Sequence, residues 1–127
     1  MTEFAKLFWI ALGGSCGAVF RYTIAMMAQS VFKLQFPVGT MLANVLGCLL
    51  MGLLIGSGQD QENDFIRFGF GVGFLGSLTT FSTFKGETVR HAMDGNWGIA
   101  VANVFLSVVL CLAAVVSGVV FAKRIWS

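Results

Sequence analysis

Neutral hydrogen-bonding side chains recur at helical spacing inside the long apolar stretches of this 127-residue sequence. Thr40 and Asn44 are four residues apart, as are Asn103 and Ser107, so each pair shares one face of a helix. Polar groups at membrane depth are costly and usually face a partner or a water-filled route. Amides and hydroxyls supply hydrogen-bond donors without a full charge, which suits the passage of a small anion. These pairs therefore indicate a route lined by neutral donors.

A third polar region is the stretch 77–84, which contains five hydroxyl side chains together with Phe81 and Phe84. A single hydroxyl in a membrane helix usually bonds the carbonyl oxygen four residues earlier. The density of hydroxyls beside two aromatic rings, rather than any one of them, therefore indicates function. Arg21 and Lys85 lie near the ends of the route and add positive charge that favours an anion.

The elements that must position these residues are four stretches without a charged side chain. Only 14 of the 127 residues are charged, 8 basic and 6 acidic. The uncharged stretches are 7–20, 34–59, 68–84 and 95–122, and a membrane-spanning helix needs roughly 20 apolar residues. We therefore predict an all-α membrane protein in which residues 1–127 form a single membrane domain. Its four predicted transmembrane helices cover about residues 4–27, 37–57, 65–84 and 97–122.

The composition excludes several classes of function. A net charge of +2 spread along the chain provides no basic face for nucleic acid. The single histidine, His91, lies in a charged stretch, and the sequence has neither a catalytic triad nor a phosphate-binding loop, so we predict no enzyme. Cys16, Cys48 and Cys111 lie in separate apolar stretches, which favours neither disulfides nor zinc. No Asp, Glu, His or Lys lies at the centre of a predicted span, which argues for passive conduction over proton-coupled transport.

The basic residues divide equally between the two sides of the predicted bundle. Lys6, Arg67, Lys123 and Arg124 lie on one side, and Arg21, Lys33, Lys85 and Arg90 on the other. An equal division gives the positive-inside rule nothing to act on. Chance in a short protein explains it, and so does insertion in both orientations with pairing as an antiparallel two-fold dimer, which we favour.

Three GxxxG pairs bear on association between helices. They are Gly13/Gly17, Gly52/Gly56 and Gly69/Gly73, on three different predicted spans. Glycine pairs at this spacing let helix backbones approach closely in a membrane. They support dimerisation, although packing within one chain explains the same pattern.

Three motifs resemble the CrcB/Fluc family of fluoride channels, and they occur in the family's order. Residues 13–22 (GGSCGAVFRY) are similar to the family's GGxxGAxxRY opening. Residues 39–48 (GTMLANVLGC) resemble its GTxxxNxxG segment, and residues 73–84 (GFLGSLTTFSTF) resemble its GxxGxxTTFSTF motif. The resemblance covers essentially the whole chain.

The resemblance implies a dual-topology antiparallel homodimer with two fluoride pores at the subunit interface. By position, Phe81 and Phe84 would be the pore phenylalanines and Asn44 the pore amide. The other residues assigned to the anion route are Ser82, Thr83, Ser107, Thr40, Asn103, Arg21 at the vestibule and Glu87 near one pore end. Many members have tyrosine where this chain has Asn103, which replaces a hydroxyl with an amide.

The resemblance also implies a structural sodium ion and a broken third helix. The main-chain carbonyls of Gly76 and Thr79 would bind this ion on the two-fold axis, where the helix breaks. Backbone carbonyls freed inside a bilayer are tolerated only where something polar coordinates them. No organic cofactor is implied.

The anion chemistry agrees with these implied roles. Fluoride is small and strongly hydrated, so a pore must replace its water with short hydrogen bonds from N–H and O–H groups. The edge of a phenyl ring is electropositive and can contact an anion without trapping it. We therefore predict a fluoride-selective passive channel that exports cytoplasmic fluoride across a bacterial inner membrane, as a multi-pass protein.

Two other functions are compatible with the sequence. A small four-span, proton-coupled drug or cation exporter would share the size and the even charge distribution. That function needs an acidic residue in the first span, where Gly13, Gly14 and Gly17 lie instead. A structural or regulatory subunit without transport activity is the other, and the polar groups on matching helix faces argue against it.

Overall fold

The computed structural model describes residues 1–126, and helices dominate that part of the chain. Three of the helices are long and apolar enough to cross a membrane, which agrees with the predicted all-α membrane class. In chain order the elements are α1 (Glu3–Phe32), α2 (Val38–Ser57), α3 (Gln59–Glu62), the π-helix π1 (Ile66–Leu75), α4 (Gly76–Leu78), α5 (Phe81–Met93) and α6 (Trp97–Trp126). The three membrane candidates are α1, α2 and α6.

The helix ends differ from the predicted spans at several points. α1 continues beyond residue 27 to Phe32 and ends where Lys33 adopts a left-handed backbone conformation with φ of 46°. α6 continues beyond residue 122 to Trp126. Residues 59–62, between the second and third predicted spans, form a short helix after the left-handed turn at Gly58. The hydropathy pattern marks the apolar part of a helix, whereas capping and backbone geometry decide where the helix ends.

The predicted third span, 65–84, is divided among three elements. π1 occupies its first half, α4 adds one short turn, and α5 begins after Thr79 and Thr80. π1 runs for 10 residues, which is long because π-helices are usually single turns at functional sites. Three buried glycines lie in π1, at positions 69, 71 and 73. Gly69 and Gly73 lie against α1, whereas Gly71 faces Leu54 of α2.

α2 and α6 run side by side in the same chain direction. A side chain at Gly52 would meet the backbone of Val115, and one at Gly56 would lie 2.7 Å from the carbonyl oxygen of Val119. Both pairs are 63 positions apart in the sequence, so the two helices stay in register over at least one turn. The same offset relates Asn44 to Ser107.

The glycine pairs serve packing within the chain. A side chain at Gly13 or Gly17 would meet the π1 backbone, and one at Gly73 would lie 2.7 Å from the carbonyl oxygen of Ile10. Gly52 and Gly56 fit against α6 in the same way. Contacts within the chain therefore account for these pairs, and dimerisation stays a prediction that they do not test.

Candidate functional site

The helical path breaks at Thr79 and Thr80. Both residues are extended, with φ and ψ of −82° and 146° at Thr79 and of −144° and 116° at Thr80. α5 then starts afresh, because the Thr80 hydroxyl accepts a hydrogen bond from the Thr83 backbone N–H at 3.2 Å. A threonine in this position is a favourable N-cap. The break thus has its own local stabilisation.

Asn44 of α2 holds the break from the side. Its Oδ1 accepts from the Thr80 backbone N–H at 2.7 Å, and its Nδ2 donates to the Thr80 carbonyl oxygen at 3.3 Å. The amide replaces both hydrogen-bond partners that a continuous helix would give Thr80. Asn44 itself is buried, with 9% of its surface exposed. The side chain therefore satisfies the two Thr80 backbone groups that have no helical partner, in a buried part of a membrane protein.

The same arrangement takes the helical donors away from two carbonyl groups. In a continuous helix the Thr80 N–H would bond the Gly76 carbonyl, but it donates to Asn44 instead. Likewise the Thr83 N–H, the natural donor for the Thr79 carbonyl, donates to the Thr80 hydroxyl. The two predicted sodium-binding carbonyls are thus among those that lose their helical donors at the break. Neutral oxygen ligands of this kind fit a hard cation such as sodium.

Arg21 lies beside the short helix α4. Its Nε donates to the Ser77 carbonyl oxygen at 3.0 Å, 56 positions along the chain. A guanidinium at the carboxyl end of a helix satisfies a free carbonyl and interacts favourably with the helix dipole. Arg21 does not line the groove or the cavity described below. Arg21 therefore has a structural contact with the α4 backbone, and its vestibule role stays a prediction.

Phe81 and Phe84 lie on one side of α5, with ring centroids 6.0 Å apart and planes at 56°. Phe84 is buried at 6% exposure, whereas Phe81 is 74% exposed. The Lys85 ammonium lies 4.8 Å from the Phe81 centroid and 5.6 Å from the Phe84 centroid. A cation prefers the negative face of a ring, which leaves the electropositive edges for other contacts.

A groove of about 280 Å³ lies in front of these rings. We call it the phenylalanine groove. Its wall combines the two phenylalanines and both threonines of the break with residues of α2 and α6. Its lining residues are Asn44, Cys48, Thr79, Thr80, Phe81, Phe84, Ser107, Val108 and Cys111. Hydrogen-bonding groups and ring edges therefore share one surface.

A chain of side-chain hydrogen bonds continues from the groove along α6. The Ser107 hydroxyl donates to Asn103 Oδ1 at 3.2 Å, and Asn103 Nδ2 donates to the Thr88 hydroxyl at 2.9 Å. Thr88 in turn donates to the Phe84 carbonyl oxygen at 2.8 Å. Asn103 is buried at 1% exposure. The amide thus links α6 to α5.

Thr40, one turn of α2 before Asn44, contacts Glu87 of α5. The Thr40 hydroxyl donates to Glu87 Oε1 at 2.6 Å, while Glu87 Oε2 is buried without a partner among the described residues. Both residues line a cavity of about 530 Å³ that also includes Arg90 and His91. Burial raises the pKa of Glu87, against the opposing effects of the Thr40 hydrogen bond and of the His91 and Arg90 charges. Glu87 lies in α5, beyond the predicted third span.

The structure brings most of the predicted site residues into two neighbouring groups. The phenylalanine groove contains Asn44, Thr79, Phe81, Phe84 and Ser107, and the adjoining cavity contains Thr40 and Glu87. Ser82 and Thr83 lie within 3.3 Å and 3.1 Å of the Thr80 hydroxyl, measured between side-chain oxygens.

Two residues that organise this region were not among the predicted site residues. Thr80 caps α5 and pairs with Asn44, and Thr88 joins Asn103 to the α5 backbone. The sequence did contain a local signal for Thr80, because a hydroxyl residue directly before a helix is a common N-cap. The sequence contained no local signal for the contact between Thr88 and Asn103, because Asn103 lies on another helix.

Comparison with known proteins adds a family and several relatives. Residues 8–119 match the family described as "CrcB-like protein, Camphor Resistance (CrcB)". Proteins named "Fluoride-specific ion channel FluC" from Shewanella oneidensis, Shewanella baltica and Shewanella loihica are similar over 114 residues. The identities are 47%, 46% and 46%, and each match covers 89% of this chain and 92% of the relative.

Proposed function

The chain belongs to the CrcB-like family of membrane proteins, and we propose that it is a fluoride-selective passive ion channel. It is a multi-pass membrane protein and not an enzyme. The proposal rests first on relatives named as fluoride-specific channels, which match over most of both chains.

One structural observation supports this function above the others. The break at Thr79 and Thr80 faces the same groove as the rings of Phe81 and Phe84. The groove is largely apolar and includes a few amide and hydroxyl groups beside the two rings, with no carboxylate among its lining residues. Such a wall can replace the water around a small anion and still release it.

The proposed fluoride route uses these groups in sequence. The cavity beside Thr40 and Glu87 forms the entrance, and the phenylalanine groove forms the narrow part. Asn44 provides a donor on one wall, since only one of its two amide N–H groups bonds the Thr80 carbonyl oxygen, and the rings of Phe81 and Phe84 form the other wall. Each contact is individually weak, so fluoride moves on to the next group without being trapped.

Flux measurements on purified protein in liposomes test this function. Vesicles loaded with potassium fluoride are diluted into a fluoride-free solution, and external fluoride, chloride and proton activity are recorded together. We expect fluoride efflux that is independent of a proton gradient and is not matched by chloride. Exchange of a cationic drug for protons would instead identify an exporter, and absence of any flux would indicate a structural subunit.

We further propose that the working unit is an antiparallel homodimer of four-span chains, with the third span broken at Thr79 and Thr80. The exposure of Phe81, at 74%, leaves its ring without a complete enclosure in one chain. A second copy that covers this face would close the route. Static light scattering of the purified protein should give twice the mass of one chain, and labelling of single cysteines introduced near each terminus should find both orientations. A monomer that conducts fluoride would contradict this arrangement.

We also propose that the Gly76 and Thr79 carbonyls bind a structural sodium ion. The support is that both carbonyls lose their helical donors at the break. Such an ion would supply positive charge to these oxygens and fix the break. Replacement of all sodium by N-methylglucamine should lower the melting temperature of the purified protein, and addition of sodium should restore it. A melting temperature that does not respond to sodium would reject the site.

A further inference from the structure

Two cysteines face each other across the α2–α6 contact. Cys48 and Cys111 are 63 positions apart, which is the offset that pairs Gly52 with Val115 and Gly56 with Val119. The cysteines therefore occupy the same level of two parallel helices, one turn before the closest backbone approach. Both side chains line the phenylalanine groove, which places the two thiols on one surface.

The thiol pair lies in the wall of the phenylalanine groove. Cys48 and Cys111 line it together with Asn44, Phe81 and Ser107. Both cysteines are partly exposed, so a small ion in the groove can reach both sulfur atoms. Cys16, the third cysteine, lies on an exposed position of α1, away from this groove. The chain thus contains one paired and one isolated thiol site.

Two adjacent thiols in a largely apolar wall form a ligand set with defined chemistry. Thiolate sulfur is soft and binds soft cations, and each thiol loses a proton when it does so. We infer that Cys48 and Cys111 form a bidentate binding site for a soft divalent cation of the Hg²⁺ type. Two thiols and one such cation give a neutral bis-thiolate complex and two released protons. Neutrality matters because an uncompensated charge at membrane depth is costly.

Occupancy of this site should obstruct anion passage. The bound cation would lie beside Asn44 and the two phenylalanines, where the proposed fluoride route is narrow. This consequence rests on the proposed function, whereas metal binding by the thiols does not. The two are therefore measured separately, with Hg²⁺ as the probe in both cases.

The binding test uses detergent-purified Cys16→Ser protein, which retains only the paired thiols. One equivalent of Hg²⁺ per chain should protect both thiols from a maleimide reagent, and two protons should be released. Protection of a single thiol per bound ion would overturn the proposal. Cys48→Ala and Cys111→Ala variants, in the same background, should each bind the ion with about a hundredfold lower affinity because the second ligand is lost. An unchanged affinity in either variant would also overturn it.

The flux test uses the natural chain in fluoride-loaded vesicles, with each variant compared to its own rate before Hg²⁺ is added. Block should persist in Cys16→Ser and should need about a hundredfold more Hg²⁺ in Cys48→Ala or Cys111→Ala. Equal block in a chain lacking both paired cysteines would refute their role in inhibition. If no protein shows fluoride flux, the proposed function fails, while the protection and proton-release results still decide the metal site.

Discussion

Replacement of Asn44 by alanine tests the break most directly, because one side chain makes both contacts to Thr80. The substitution removes the 2.7 Å bond from the Thr80 N–H and the 3.3 Å bond to the Thr80 carbonyl oxygen. Side-chain hydrogen bonds between membrane helices contribute about 0.6 kcal/mol each on average, whereas an unsatisfied buried backbone group costs about 1–3 kcal/mol. Two contacts at a buried residue therefore predict a loss of about 1–4 kcal/mol in the free energy of unfolding. Fluoride efflux should fall as well, because the groove wall loses its fixed shape.

The assay combines thermal unfolding in detergent with fluoride efflux from liposomes. Asn63→Ala is the matched control, since Asn63 Oδ1 also accepts two backbone bonds, from Phe65 and Ile66, but at an exposed turn. The control should lose some stability and keep its efflux rate. Wild-type melting together with wild-type efflux in Asn44→Ala would refute the role of the amide in holding the break.

Asn44→Asp separates geometry from charge at the same position. The carboxylate keeps the acceptor for the Thr80 N–H but loses the donor to the Thr80 carbonyl oxygen. It also introduces a negative charge beside the proposed anion route. Conduction should therefore be impaired more than stability. Robust fluoride flux with the carboxylate shown to be ionised would reject the placement of Asn44 on that route.

Three further predictions concern the rings, the helix contact and the buried carboxyl. Phe81→Ile should abolish fluoride efflux while the protein keeps its elution volume, because an aliphatic side chain has no electropositive edge. Gly52→Ala should lower the free energy of unfolding by about 1–3 kcal/mol, because the added methyl group meets the α6 backbone. Its control is Gly98→Ala, which should raise the free energy of unfolding by about 0.5–1 kcal/mol because the space there is open. Thr40→Val should raise the pKa of Glu87 further, because the hydrogen bond that lowers it is lost. The fall in melting temperature with rising pH should then continue to a higher pH and become larger.

The sign of the pH effect follows from linkage. A carboxyl whose pKa is raised in the folded state binds its proton more tightly there than in the unfolded chain. The resulting stability is present below the ordinary carboxyl pKa and is lost as the pH rises through the raised value. Glu87→Gln should remove this step, since it cannot ionise. A step that persists in Glu87→Gln would assign the titration to another group.

Phe105→Ile is the matched control for Phe81→Ile. Phe105 lies on an exposed face of α6, so its replacement should leave fluoride efflux unchanged.

Much of the architecture was predictable because it depends on local properties of the chain. Apolar length and the absence of charge identify the helices α1, α2 and α6 whatever packs against them. The spacing of Thr40 and Asn44, and of Asn103 and Ser107, placed these polar groups on common helix faces. The hydrogen-bond partners of Thr40, Asn44 and Asn103 were not predictable. These partners are Glu87, Thr80 and Thr88, which lie elsewhere in the chain.

The GxxxG pairs illustrate the opposite case. Their spacing correctly indicated close helix contact, but it did not specify the partner helix. The structure pairs Gly13 and Gly17 with π1, and Gly52 and Gly56 with α6. A glycine allows any helix backbone to approach closely, so the spacing does not specify which helix packs there.

The sequence by itself determined the membrane class, the approximate helices and the set of neutral donors, since these follow from the number and order of side chains. Only the tertiary structure decided where the third apolar segment breaks and which groups meet there. The break exists because Asn44 of one helix takes over the backbone bonds of Thr80, and Thr80 takes over that of Thr83. The pairing of Cys48 with Cys111 likewise depends on the register of α2 against α6, which glycine contacts fix. Such register is a property of two packed helices and cannot be read from either one alone.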